Sequence, residues 1–150
     1  MKRIIPALLL VLSLALTNSL LAQVRSVPAT VTEAFKGKYP SASNVEWKDK
    51  LSGFVAEFDH NGGHYSARFT NKAVWQYTEQ VISESSLPAA VKDGLAKSKW
   101  ADWGKTETVT KIELPAEKEQ YRLHVVKSDL QKKNLLFNSE GRLLKDNVTL

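Results

Sequence analysis

A chain of 150 residues, 43% hydrophobic, with a formal net charge of +5 and no cysteine, is sized for one domain with one sizeable core. Without cysteine it has no disulfides, thiolate metal centres or thiol nucleophiles, so packing must supply its stability. Basic and acidic side chains alternate along the chain instead of gathering into a one-sided stripe, which argues against nucleic-acid binding.

The chain opens MKRIIPALLLVLSLALTNSLLAQ. Lys2 and Arg3 precede an apolar run from Ile4 to Leu16, and the small Ala22 stands before polar Gln23. This is the layout of a secretory signal peptide over residues 1–22, cleaved after Ala22. The apolar run is shorter than the roughly 18 residues of a bilayer span, so no stable membrane anchor is expected after cleavage. Export is the expectation, with the periplasm as the first destination and secretion as the alternative.

Next comes SVPATVTEAF (26–35), echoed sixty positions later by SLPAAVKDGL (86–95). Val27, Val31, Ala34 and Phe35 form one face of an amphipathic helix, with Ser26 as a candidate N-cap and Pro28 in the first turn. Pro40 predicts an end near Tyr39. The second copy repeats this with Leu87, Val91, Gly94 and Leu95 after Ser86 and Pro88. The match of Gly94 to Ala34 predicts that both positions need a small side chain close to a neighbour.

GFVAEFD (53–59) and HYSARFT (64–70) alternate in the manner of strands, and Asn61-Gly62 between them is a strong hairpin signal. That turn pairs Phe58 with Tyr65, Ala56 with Ala67 and Phe54 with Phe69. The apolar residues then share one face and Glu57, Ser66, Val55 and Arg68 the other; a one-residue slip would destroy this segregation. FTNKAVW (69–75) has a counterpart at FNSEGRL (137–143), predicting that Phe69 faces Trp75 and Phe137 faces Leu143, with a left-handed position at Ala73 and Gly141. Trp75, Tyr77 and Val81 are expected on the core face. Tyr121, Leu123 and Val125 read as the second-copy equivalents of Phe54, Ala56 and Phe58, after a longer charged turn containing Pro115.

The fold class predicted is therefore α+β: a tandem repeat, residues 23–83 and 84–150, each a helix plus about four antiparallel strands. The two are expected to fuse into one sheet, with the helices packed on one face, as a single globular domain over 23–150.

The run VPATVTEAFKGKYPSASNVEWK, followed by GFVAEF, GHYSARFTN and VWQYTE, resembles the PepSY-like, β-lactamase-inhibitor-like family of bacterial envelope proteins. LPAAVKDGL through FNSEGRLL resembles it again, so the likeness spans essentially the whole mature chain. The resemblance implies helices on one sheet face, an exported location, no cofactor and no catalytic residues. It also implies an architecture like that of the β-lactamase inhibitor protein, whose open sheet face grips an enzyme. The absence of cysteine and a short connection between the first two strands depart from that inhibitor.

His60 and His64 invite a metal reading, but the hairpin register sends them to opposite faces, where they do not share an ion without distortion; no metal site is assigned. No nucleophile elbow, HExxH or phosphate-binding glycine loop is present, and no catalytic or cofactor residue is named. The residues assigned to partner binding are Glu57, Arg68, Arg122 and His124 on the outer sheet face, with Trp100 and Trp103, which follow the second helix. Those two either cap the helix–sheet layer or offer an aromatic anchor. Two functions remain in view: a non-enzymatic exported module binding a protein or peptide through its open face, or a passive envelope component holding a small apolar ligand in a cavity lined by Trp75, Tyr77 and Phe54.

Overall fold

The computed structural model describes residues 26–103 and 105–148; the expected signal peptide lies outside them. Helix α1 (Ala29–Lys38) is followed by strands β1 (Ser43–Lys50), β2 (Gly53–His60), β3 (Gly63–Thr70) and β4 (Trp75–Ile82). A 3₁₀ turn (Glu84–Ser86) leads into α2 (Ala89–Ala96), then β5 (Lys105–Leu114), β6 (Lys118–Ser128), β7 (Gln131–Asn138) and β8 (Leu143–Val148). All eight strands form one antiparallel sheet in chain order. No helix among the described residues is long and apolar enough to cross a membrane.

Both helices start on proline. Pro28 and Pro88 are the N-cap residues, and neither makes a side-chain capping bond. The expected Ser26 cap is thus replaced by a proline carbonyl: Pro28 accepts from the amides of Val31 and Thr32, and Pro88 from those of Val91 and Lys92. Proline's pre-set φ supplies the entry geometry that a serine side chain would otherwise stabilise. Tyr39 ends α1, as Pro40 predicts.

The β2–β3 register is the one expected from the Asn61-Gly62 turn, pairing Phe54 with Phe69, Ala56 with Ala67 and Phe58 with Tyr65. Under α1 these residues form a first core with Val31, Phe35 and Tyr39. Phe35 packs edge-on to Phe58 (centroids 4.9 Å apart) and to Trp47 (5.4 Å). Under α2, Leu87, Val91, Val109, Tyr121, Leu123, Val125, Leu135 and Phe137 form a second core. Thr78 bonds Tyr39 of α1, and Ile82, on the same side of β4, packs into the second core. Both helices therefore cover the same face.

Two residues depart from the expected pattern. Phe69 does face Trp75, but the next pair is Arg68 with Tyr77, so β4 carries a bulge with one extra residue, Gln76. Everything beyond it flips. Tyr77 points to the uncovered face with Arg68, Val81 is 68% exposed there, and Thr78 takes the core position. The hydroxyl of Thr78 accepts the Trp75 indole N–H at 2.9 Å and bonds Tyr39 Oη, so the buried polar group is satisfied. With Tyr77 opposite Phe54 and Trp75, these three residues do not line a common cavity. The Ala73 and Gly141 positions are left-handed as expected, at φ 61° and 79°.

Between the two cores the covered face is polar. Register places Gln80 beside Lys111, and Lys111 beside Tyr121. Lys111 Nζ reaches Glu119 at 2.7 Å and Glu113 at 3.6 Å, and Tyr121 Oη donates to Glu119 at 2.7 Å. The Lys111 hydrogen bond, reinforced by that from Tyr121, holds the Glu119 carboxyl below its usual range. The bond to Glu119 lifts Lys111, while burial first and that same hydrogen bond second push Tyr121 up to about 12. Glu119 thus adds stability above the ordinary carboxylate range that is lost as pH falls through its lowered value. Lys111 and Tyr121 add stability that is lost as pH rises above about 10. Glu119→Gln is expected to lower the melting temperature at pH 7, with the gap to wild type closing below about pH 4 and again in strong alkali. A gap independent of pH, in melts followed by circular dichroism, would contradict this linkage.

Candidate functional site

The face opposite the helices is bare. Strand alternation brings Glu57, Arg68, Arg122 and His124 onto it together. Each has a partner: Glu57 with Lys48 Nζ, Arg68 donating to Gln76 (2.9 Å) and Ser52 (2.7 Å), and Arg122 with Glu79 (3.0 Å). His124 Nδ1 lies 3.0 Å from Asn134 Oδ1, and its Nε2 lies 3.8 Å from Glu107. His64 and Asp59 form a cross-strand pair at 2.9 Å. The Asn44 side-chain amide, donating at 2.8 Å, and then His64 hold the Asp59 carboxyl below the usual range.

Two shallow depressions meet at Thr110 and Arg122. One, of about 220 Å³, is bounded by Glu57, His64, Ser66, Glu79 and Val81. The other, of about 320 Å³, is bounded by Thr108, His124 and Asn134. Together they make a trough across the middle of the sheet. Thr110 lies in the trough and Ile112 on the same face, and both are nearly buried without a helix above them, because register sets Val81 and Arg122 beside Thr110, and Glu79 and Gln120 beside Ile112. Glu79, Tyr77, Val81 and Thr110 belong to this face and were missed by the sequence reading. The β4 bulge that turns Tyr77 and Val81 outward leaves no unambiguous mark in the sequence.

Trp100 and Trp103 are not part of the trough. They lie on the helix side, packed edge-to-face on one another (4.9 Å, 88°) and against the second core. Lys133 Nζ sits 4.4 Å from the centre of the Trp100 ring. This is the helix–sheet capping position. The outer-face residues and the tryptophan pair therefore form two separate places. His60 is also on the helix side, 3.1 Å from Ser41 Oγ and against the Tyr39 ring, away from His64. Among the described residues no three His, Asp or Glu side chains gather as a metal cluster.

Fold and face together define an α+β sheet platform, sealed by helices on one side and open on the other, whose mixed charges and exposed apolar spots suit recognition. The family model described as "Putative beta-lactamase-inhibitor-like, PepSY-like" matches residues 52–145, well over half of the chain. The chain belongs to this PepSY-like, β-lactamase-inhibitor-like family. Among solved structures it is similar to a Bacteroides eggerthii protein described among "putative periplasmic proteins", with 28% identity and a TM-score of 0.74, covering 83% of this chain and 90% of that one. It is similar to a DUF2874 family protein of Bacteroides uniformis, with 26% identity and a TM-score of 0.75, covering 82% and 90%. A BLIP-like protein of Bacteroides fragilis shares 25% identity at a TM-score of 0.75, covering 85% and 90%. No curated protein matches the chain.

Proposed function

We propose that the mature protein is an exported, non-catalytic binding module that holds a protein or peptide on its open sheet face. The observation that carries this reading is the uncovered trough, in which Glu57, Glu79, Arg122 and an exposed Val81 lead on to His124, with Arg68 on the same sheet face. A face already neutralised by its own pairs gives specificity through geometry more than through net attraction. The β-lactamase-inhibitor-like family supports the binding-module class. Export is supported by the basic–apolar–small pattern of residues 1–22 and by the description of the Bacteroides eggerthii relative; a mature N-terminus other than one near Gln23 would count against it. The matched helix starts, the two left-handed turn positions and the two cores support a tandem duplication. A superposition of the two halves that fails to bring Pro28 onto Pro88 and Ala73 near Gly141 would remove it.

The triple variant Glu57→Lys/Arg68→Glu/Arg122→Glu tests the face. These side chains are only partly buried, so the loss of stability is expected to stay near 1 kcal/mol. In capture from envelope extract the variant is expected to lose the partner that the wild type retains. Equal capture by the folded variant would remove this face from consideration.

A further inference from the structure

On the helix-bearing side, between the end of α1 and the β5–β6 hairpin, lies a cleft of about 430 Å³ whose lining includes Lys38, Trp75, Glu113, Glu117, Lys118 and Glu119. The Lys38 ammonium stands 3.6 Å from the centre of the Trp75 ring and 5.5 Å from that of Tyr39. Both rings are fixed from below by one atom, Thr78 Oγ1, which takes the Trp75 indole N–H and bonds Tyr39 Oη. Thr78 is 2% exposed, so the Trp75 wall of the cleft is anchored in the core, braced through the same hydroxyl to Tyr39.

The Lys38 ammonium rests on the ring face with no carboxylate among the described residues within ion-pair distance, although three glutamates line the same cleft. A primary ammonium keeps its best hydrogen bonds by staying in water, whereas a fully alkylated ammonium has none to lose by settling on the ring. The charge around it favours a cation. Glu117 has no ion-pair partner among the described residues, Glu113 is held only loosely by Lys111 at 3.6 Å, and Glu113 also raises the pKa of Tyr39, behind the larger effect of burial. With Lys38 removed, the lining groups are three carboxylates against Lys118, with Lys111 beside the cleft pairing mainly with Glu119, so the cleft keeps a net negative charge.

We propose that this cleft is a binding site for a small organic cation bearing a quaternary ammonium group, and that Lys38 is its built-in occupant, which the ligand must displace. The site is on the opposite side of the sheet from the trough and stands independently of the function proposed for that face.

Choline chloride, titrated against equal sodium chloride and followed by the Trp75 indole N–H resonance, tests the proposal. Lys38 is exposed, so Lys38→Gln leaves the fold intact. Lys38→Gln is expected to bind choline about tenfold more tightly than wild type, because the competing cation–π contact is gone. Adding Glu113→Gln and Glu117→Gln to it is expected to reverse the gain. Two results would overturn the proposal: no choline-dependent shift in Lys38→Gln, or an equal shift with methylammonium, which would mark a plain electrostatic cleft.

Discussion

Phe58→Ala is expected to destabilise the protein by about 3–5 kcal/mol, the usual range for deleting a fully buried phenylalanine. Phe58 is 0% exposed and contacts rings from both layers: Phe35 at 4.9 Å and Tyr39 at 4.7 Å from α1, and Tyr65 at 5.7 Å from the neighbouring strand. Those rings are tied to the helix and the sheet, so the void has little chance to collapse. Urea unfolding measures the loss directly. Leu51 and Leu130, fully or almost fully exposed at hairpin tips, are the controls, and alanine there is expected to change stability by no more than about 0.5 kcal/mol. A Phe58→Ala loss as small as the controls would mean that the first core is not the packed unit described.

Gly94→Ala is expected to go against helix propensity. Alanine within a helix normally gains about 1 kcal/mol over glycine. Here a Cβ at Gly94 would run into the carbonyl oxygen of Gly141, which belongs to the β7–β8 turn. A backbone atom in a turn has no rotamer by which to withdraw, so overpacking of roughly 1–3 kcal/mol outweighs the propensity gain and the net effect is a loss. Gly141 is bound reciprocally: its own Cβ would meet the Ala90 carbonyl, and its φ of 79° disfavours any side chain. A stabilised Gly94→Ala protein in thermal and urea melts would show that α2 does not lie against that turn.

Much of the fold was legible in the sequence because apolar alternation and turn chemistry agreed. Asn61-Gly62 fixed the register that placed Phe54, Ala56 and Phe58 over Phe69, Ala67 and Tyr65, and the Pro-Ala repeat placed both helices. The Gly94–Gly141 contact was foreshadowed only as a need for smallness, since a sequence does not reveal what approaches. Tyr77 and Val81 were misplaced because one bulged residue reverses the alternation, and Gln76 bears no distinguishing mark. The outer positions of Glu57, Arg68, Arg122 and His124 followed from the same alternation that placed the core. Their partners Glu79, Gln76 and Asn134 did not, because side-chain pairing across strands depends on register: through that bulge for Gln76, at the β4–β5 junction for Glu79 and between β6 and β7 for Asn134.

The polar seam between the two cores bears on how the two faces divide their work. Lys111, Glu113 and Glu119 lie between the two cores, with Glu119 bonded to Tyr121 at the edge of the second, so the covered side is a pair of sealed cores with a charged strip between them. The open side instead runs unbroken through Thr110 and Arg122 from the first four strands into the last four. A macromolecular partner that touches both halves at once has that continuous surface available to it. Site-specific photo-crosslinking in intact cells tests this most directly, with the crosslinker at Val81 or His124 on the open face and at Glu33 or Lys92 on the exposed side of the helices. Adducts to a discrete protein or peptide from Val81 and His124, and none from Glu33 and Lys92, are the predicted result; adducts confined to Glu33 and Lys92 would contradict it.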